Sequence, residues 1–564
     1  MKSKNKFLFI SFFVLVSSLV MTTYSCKSGI DSNALLMIAL INQQSAIKKG
    51  TTWKVSKTDT SKTITDVSGK KLYAVRYNSG SSALSTSDQK TITVYSGTRS
   101  LTSDDNNTNI LPQNIENDDS RTYLSLPVYT PSSLGLNITE PSLLAKTVTP
   151  TPSYNNVGKT YSFYVDDATG GGSYASAQAT VRYEGEHCTV WIIDRYYGSG
   201  DKQITSEEAE SFGESFDKLY EYEPHITGTE LNKLYQYTSD DSGVEVTITT
   251  NPKVNIVFFD IYSTSIMGYF WSRDYYDLNG KTPTGLDTDS INILSKSNKG
   301  KFLYIDSDYA NSSKEDTYST IVHEFQHMLN FSNRNTTQAT FTEEMTAMLS
   351  EDMMSSKISE LVPSFSKIEH SPYSRLSYLN KAYYTLSLNP AQGSPFGGEC
   401  YAISYAFGAF LARNYGGALF EKNVVLNNYT AESSLEYATG ESYDNLVQYF
   451  LESLVFQGKQ DSHTLNKDAE QSITYNGYSY PMGKIDLWSS DFSNIVNYTT
   501  VNGPIIFSNA TNVEIKPKGF IIHYLGEAES DSVTINFTSS SVDQTIFIMA
   551  QEQDNAPTTW GINS

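Results

Sequence analysis

Two histidines stand four residues apart in a chain that holds only seven among 564 residues. His323 and His327 lie in the segment TIVHEFQHMLNF, and Glu324 directly follows the first of them. On an α-helix, residues four apart lie one turn apart on the same face, so both imidazoles can reach one ion. This HExxH pattern is typical of zinc sites whose glutamate takes a proton from an activated water. We predict that His323 and His327 bind zinc and that Glu324 is the catalytic base.

Chance is the alternative explanation of this pattern. A random chain with so few histidines would carry HExxH roughly once in a few hundred cases. The motif also lies within a predicted amphipathic helix, for which Ser312 or Ser313 followed by an acid forms a capping box. An apolar stripe follows the helical period at Tyr318, Ile321, Val322, Phe325, Met328 and Leu329. The helical setting favours the metal site.

A catalytic zinc site needs a third protein ligand and one open position. The metzincin continuation of the motif is excluded, because Asn330 and Asn333 stand where that pattern requires glycine and histidine. The segment FTEEMTAMLSED, residues 341–352, offers a carboxylate from a following helix. At this point either Glu343 or Glu344 can supply the third ligand.

Four segments together resemble the hyicolysin family of secreted bacterial zinc peptidases, which are gluzincins: LYIDSD, TIVHEFQHMLNF, EEMTAMLSED and YAFGAFLARNYGG. The resemblance covers about residues 180–460. It implies a zincin-like endopeptidase with one catalytic Zn²⁺, Glu344 as the third ligand, and Glu351 behind a histidine ligand. This chain departs from the family pattern at FTE and at Met345, which leaves Glu343 as the alternative ligand.

The resemblance also implies a donor for the oxyanion of the transition state, from a tyrosine or histidine downstream. Tyr401 and Tyr405, in CYAISYAFG, are the candidates, although a place in the core is the alternative for each. His370, in KIEHSPYS, is a further candidate. By the same analogy the strand KFLYIDSD lies at a sheet edge and pairs with an extended substrate. Substitution of Tyr304 or Asp306 is then expected to raise KM more than it lowers kcat.

Composition changes along the chain define three regions, which are β, mixed and β. Short β-prone runs separated by turn clusters fill residues 51–185, helical and strand patterns alternate after residue 200, and β-prone runs return near residue 490. The predicted class is multidomain α+β, with a mixed-sheet, zincin-like catalytic domain between N- and C-terminal β-sandwich-like domains. The predicted divisions are a signal segment at 1–25, a stalk at 26–50, and domains at 51–198, 199–488 and 489–564.

The N-terminus has the pattern of an export signal. Lys2, Lys4 and Lys6 precede an apolar run at residues 7–20 that is short for a bilayer span. The following TTYSC resembles a bacterial lipoprotein signal, with Cys26 as the acylated residue. We predict an exported lipoprotein at the membrane or cell surface, with plain secretion as the alternative.

The net charge of −21 limits which partners the protein can bind, and loss of the three signal lysines would make the charge −24. So negative a chain repels nucleic acid and anionic membranes, so we expect membrane attachment only through the lipid at Cys26. Protein or peptide substrates are the predicted partners. The rival function is a surface adhesion protein with a non-catalytic zincin scaffold, which an intact Glu324 disfavours.

Two further features allow alternatives. Acidic loops at residues 274–290 and 306–316 could bind Ca²⁺, but neither has EF-hand spacing, and solvated loops are the alternative. Cys188 and Cys400 could form a disulfide in an oxidising compartment or remain buried thiols.

Overall fold

The computed structural model describes residues 50–96, 98–99, 128–138, 156–169, 174–239, 241–248, 252–262, 266–334, 336–388, 398–456, 463–469, 474–496, 499–508 and 513–552. Several sheets and a helical layer confirm the predicted multidomain α+β class. The predicted signal segment and Cys26 lie outside the described residues.

The strands, in chain order, are β1 (Gly50–Val55), β2 (Ser61–Thr65), β3 (Lys70–Tyr77), β4 (Ile92–Ser96), β5 (Thr98–Arg99), β6 (Asn137–Ile138), β7 (Thr160–Val165), β8 (Ala175–Glu184), β9 (Cys188–Ile193), β10 (Lys233–Tyr237), β11 (Ser242–Thr247), β12 (Val254–Phe259), β13 (Gly268–Phe270), β14 (Tyr276–Asp277), β15 (Phe302–Asp306), β16 (Thr474–Tyr475), β17 (Tyr478–Ser479), β18 (Asn494–Val496), β19 (Thr499–Val501), β20 (Phe507–Ser508), β21 (Phe520–Ala528), β22 (Ser532–Phe537) and β23 (Thr545–Glu552). The α-helices are α1 (Ser206–Tyr220), α2 (Pro224–Thr227), α3 (Thr288–Leu294), α4 (Ser307–Ser312), α5 (Lys314–Asn333), α6 (Thr340–Leu361), α7 (Arg375–Ala382), α8 (Gly398–Asn414), α9 (Ala418–Leu426), α10 (Ala431–Thr439) and α11 (Tyr443–Val455).

A six-stranded mixed sheet carries the helical layer, in the order β13-β15-β12-β9-β8-β7. The strands β9, β12 and β15 are parallel and buried along their whole length, as their continuous apolar sequences predict. The strand β13 is antiparallel to β15 and lies at the end of the sheet in the described part of the chain. The strand KFLYIDSD is β15, so it is an interior strand and the prediction of an edge strand is wrong.

The two flanking β regions form one sandwich rather than two separate ones. The strand β3 pairs with β21 on one side and β23 on the other, and β1 also pairs with β23. The second layer has the order β2-β22-β4, and apolar side chains of both layers are buried between them. Strand patterns are local, whereas these pairings join the two ends of the chain.

The strands β7, β8 and β9 also differ from their predicted place. They fall within the predicted N-terminal domain at 51–198, but β9 pairs with β12 and extends the mixed sheet. The sheet of the helix-bearing region therefore begins before the predicted division at residue 199.

The helices α5 and α6 pack side by side, and α5 also contacts β13 and β15. All six residues of the predicted apolar stripe on α5 are buried. The predicted capping box is absent, because the side chain of Ser313 makes no cap hydrogen bond. Instead Asp306 caps the short helix α4 by accepting a hydrogen bond from the amide of Tyr309.

Close packing of α8 on α6 depends on a glycine. A Cβ atom at Gly408 would lie 2.3 Å from Cγ of Met345, so a larger residue would push the two helices apart. Met345 directly follows Glu344, so this contact also sets how closely the part of α6 that carries the candidate metal ligand approaches α8.

No described helix is both long and apolar enough to cross a membrane. No disulfide joins Cys188 and Cys400, and both are buried thiols.

Candidate metal centre

Three predicted ligands meet between α5 and α6. Glu344 Oε2 lies 3.0 Å from Nε2 of His323, and Glu344 Oε1 lies 3.6 Å from Nε2 of His327. One ligand atom from each residue falls within 4.8 Å of the others, and within the described parts of the chain no other such group of His, Cys, Asp and Glu is found. Glu344 is 1% exposed, so its carboxylate is directed inward.

These three residues fit a zinc ion. Zinc binds nitrogen and oxygen ligands at about 2.0–2.2 Å, so neighbouring tetrahedral ligands lie about 3.3 Å apart. The contacts of Glu344 with the two histidines are close to that spacing. Two imidazoles and one carboxylate are also the donor set of catalytic zinc sites that keep a fourth position open.

A carboxylate lies behind each histidine. His323 Nδ1 is 2.7 Å from Glu351 Oε1, and Arg375 donates a hydrogen bond to that oxygen at 3.4 Å. Ser371 donates a hydrogen bond to the other oxygen of Glu351. A carboxylate at Nδ1 selects the tautomer whose Nε2 lone pair can bind a metal.

Glu343 takes the corresponding place behind His327. Its Oε2 lies 3.8 Å from Nδ1 of His327 and accepts a hydrogen bond of 2.7 Å from the side chain of Asn330. Glu344 instead faces the Nε2 atoms of both histidines. The geometry therefore favours Glu344 over Glu343 as the third metal ligand.

The imidazoles and carboxylates of the site contact one another as ion pairs. Burial disfavours a charged His323, but hydrogen bonds to Glu344 and Glu351 outweigh burial and raise its pKa to about 9. Burial also favours a neutral Glu344, yet the charge of His327 and the bond from His323 hold its pKa below its usual range. A divalent ion would displace protons from the two Nε2 atoms, so binding should strengthen as pH rises.

Glu324 lies beside the ligands and is held by the sheet. Its Oε2 accepts a hydrogen bond of 2.9 Å from the amide of Phe270, in β13. Burial raises the pKa of Glu324 above its usual value, and the nearby charges of His323 and His327 only partly offset this effect. A carboxylate of raised pKa is a stronger base at neutral pH than an exposed one.

The outer side of β13 lies next to Glu324. The backbone amide of Asp306 donates a hydrogen bond to the carbonyl of Met267. Alternation along an antiparallel pair then turns the backbone groups of Gly268 and Phe270 away from β15. The Phe270 amide is used by Glu324. The backbone groups of Gly268 and the carbonyl of Phe270 therefore line a sheet edge beside the candidate base.

The predicted oxyanion donors lie in different places. The partly buried ring of Tyr401 is 6.2 Å from that of His323, and Arg375 lies 5.0 Å from the Tyr401 ring. Tyr405 is fully buried and donates its hydroxyl to Asp352 at 2.9 Å. Because that hydroxyl already serves a buried carboxylate, the structure does not support Tyr405 as a substrate contact.

The remaining predicted sites also have local partners. The Nδ1 atom of His370 is 3.3 Å from Asp316, and its ring stacks on Phe365. In the acidic loops, Asp274 accepts a hydrogen bond from Tyr304, and Asp306 caps α4. No calcium-type cluster forms in these loops among the described residues.

Sequence reasoning missed Asn330, Ser371 and Arg375. Asn330 follows His327 by three residues and so lies on the same helix face, which is a usable signal. Ser371 and Arg375 lie beyond α6, where no periodic pattern points to the histidines.

An HExxH helix, a carboxylate from the next helix and a strand edge beside the base that pairs with no other described strand are the features of a metallopeptidase site. The family model for Peptidase M30 matches residues 203–449, which include His323, Glu324, His327 and Glu344. The chain is also 26% identical over 285 residues to neutral metalloprotease ShpI of Staphylococcus hyicus, an alignment that covers 47% of this chain. The chain spans about half of that relative, 54% of its length. Both similarities support a metallopeptidase.

Proposed function

We propose that this protein is a zinc-dependent endopeptidase that hydrolyses peptide bonds of extracellular proteins. The observation that carries the proposal is the convergence of His323, His327 and Glu344 beside the buried Glu324. Exchange of the Nε2 protons for zinc would leave Glu351 and Glu343 to orient the two imidazoles from behind.

Zinc bound by these ligands would polarise a carbonyl and lower the pKa of water. Phe270 orients Glu324 by donating to its Oε2, which leaves Oε1 to accept the proton of the attacking water. Glu324 then passes this proton to the nitrogen of the departing amine. The raised pKa of Glu324 suits both steps, because a carboxyl with a pKa closer to neutrality both accepts and releases a proton readily.

The edge of β13 supports a polypeptide substrate. An extended peptide can add to an exposed strand by main-chain hydrogen bonds, and the outward groups of Gly268 and Phe270 are suitable partners. This edge replaces the predicted role of β15. Tyr304 is buried and donates its hydroxyl to Asp274, so its substitution should disturb folding rather than KM alone.

Metal removal is the direct test of this function. The purified chain should digest casein, lose that activity when a chelator removes its metal, and recover it when one equivalent of Zn²⁺ is returned. Hydrolysis that persists after complete metal removal would contradict the proposal. A zinc-loaded chain that leaves casein and a peptide library intact would favour the adhesion function instead.

Tyr401 remains the proposed oxyanion donor, because its ring lies near that of His323. Loss of one such donor typically costs about 10²-fold in kcat, so Tyr401→Phe should lower kcat by about that factor with little change in KM. Zinc content should be unchanged. Tyr405→Phe, which removes a hydroxyl that already donates to Asp352, is the matched control, and an equal loss in both variants would argue against a specific role of Tyr401.

The proposed place of action is outside the cell, with Cys26 as the lipid-bearing residue. Both the export signal and the lipid anchor stay predictions, since they lie in residues 1–49. The sandwich of the two chain ends would then hold the catalytic region near the surface.

A further inference from the structure

A chain of buried polar side chains connects α9 to the metal centre. Glu421 Oε1 lies 2.8 Å from Ser350 Oγ, which in turn lies 2.8 Å from Gln326 Oε1. Gln326 donates to Asn330 Oδ1 at 2.7 Å, and Asn330 donates to Glu343 at 2.7 Å. Glu343 is the carboxylate behind His327. The chain therefore runs from a glutamate of α9 to a proposed zinc ligand.

Thr346, which contacts Asn330, determines which group donates in each of these hydrogen bonds. Thr346 Oγ1 donates its only proton to the backbone carbonyl of Glu343 at 2.9 Å, because a carbonyl can only accept. Thr346 Oγ1 must therefore accept in its contact of 2.9 Å with Asn330. This requires that the Asn330 side chain turns its Nδ2 group, and not its Oδ1, toward Thr346. Asn330 Oδ1 needs a donor, so Gln326 turns its Nε2 toward it. Gln326 Oε1 then needs the proton of Ser350.

The Ser350 hydroxyl has a single proton, which it donates in the hydrogen bond to Gln326 Oε1. At 2.8 Å from Glu421 Oε1, Ser350 can therefore only accept, and the proton between them must come from Glu421. We propose that Glu421 is a neutral carboxylic acid in the folded protein and that its donated hydrogen bond orients the chain that positions His327 for metal. The role of Glu421 as a positioning residue rests on the proposed zinc function, whereas its protonation does not.

The surroundings of Glu421 agree with a neutral acid. The residue is 0% exposed, and its Oε2 has no hydrogen-bond partner among the described residues, which an ionised carboxylate would require. The ionisable groups that interact electrostatically with Glu421 are Glu223, a buried residue just before α2, and Tyr480. Burial raises the pKa of Glu421 to about 8, with the Ser350 contact acting in the opposite direction.

Zinc affinity, measured by competition with a chelator, tests the positioning role in the full chain. Partners behind metal ligands typically contribute 10–100-fold to metal affinity, so Glu421→Ala should weaken zinc binding by about tenfold. Glu421→Gln keeps a donor for Ser350 and should restore affinity to within about twofold of wild type. Glu223→Gln, which changes a neighbouring buried acid that is not part of this hydrogen-bonded series, is the matched control. Equal zinc affinity in wild type and Glu421→Ala would overturn the positioning role.

The pH dependence of thermal unfolding tests the protonation. A folded acid whose pKa lies above its unfolded value stabilises the fold at low pH and loses that stability as pH rises to the folded value. The Tm of wild type relative to Glu421→Gln should therefore fall by several degrees between pH 5 and pH 8. A Tm difference that stays constant over this range would show an ionised Glu421 and overturn the proposal. If wild type bound no zinc, the proposed function would fail while these unfolding curves still decided the protonation.

Discussion

Glu324→Gln should lower kcat by about 10³-fold, which is within the range that a general base contributes. The amide cannot take a proton from water, but it retains an oxygen that accepts the hydrogen bond from Phe270. Zinc content and Tm should stay close to wild type, because Glu324 is not among the three converging ligands. Steady-state hydrolysis of a peptide substrate, with metal content measured on the same sample, gives both quantities.

The matched control for this variant is Glu315→Gln, the same change in the first turn of the same helix. It should leave kcat unaltered. A Glu324→Gln protein that keeps full activity with zinc bound would exclude Glu324 as the base. A variant that loses its zinc together with its activity would instead place Glu324 in the ligand set.

The features that sequence predicted here are local ones. The HExxH spacing, the stripe on α5 and the apolar run of β12 each follow from side-chain periodicity within one element. The choice between Glu343 and Glu344 could not be made in this way. Adjacent helix residues point about 100° apart, and only the orientation of α6 against α5 determines which carboxylate faces the Nε2 atoms.

The wrong predictions involve long-range pairing. The edge strand β13 has only three residues, so its sequence carries little strand signal, and the sequence wrongly indicates β15 as the edge. The sandwich joins β3 to β21 and β23 across most of the chain, and alternating apolar residues do not identify a partner. The candidate role of Tyr405 stays a prediction, although its hydroxyl already donates to Asp352, which lies eight residues after Glu344 on α6.

Each imidazole of the site lies between two carboxylates. Each histidine contacts Glu344 at Nε2 and a second carboxylate at Nδ1, so the carboxylates outnumber the imidazoles. A divalent cation would carry the same +2 charge as the two Nε2 protons that it displaces, but it would hold that charge at one point between the ligands. The carboxylates at Nδ1 would then keep the rings in place. The two glutamates at 343 and 344 thereby have different expected roles despite being adjacent.

Exchange of Glu344 for glutamine should therefore abolish tight zinc binding, whereas the same exchange at Glu343 should not. Removing a direct ligand should exceed the 10–100-fold loss typical of a partner behind a ligand, so we expect Glu344→Gln to weaken zinc binding by more than about 100-fold. Glu343→Gln should weaken it by about tenfold or less, because His327 keeps its place beside Glu344. Chelator competition gives both affinities, and peptide hydrolysis at saturating zinc separates lost metal from lost catalysis. The reverse ranking would assign the third ligand to Glu343 and require α6 to rotate from the position described here.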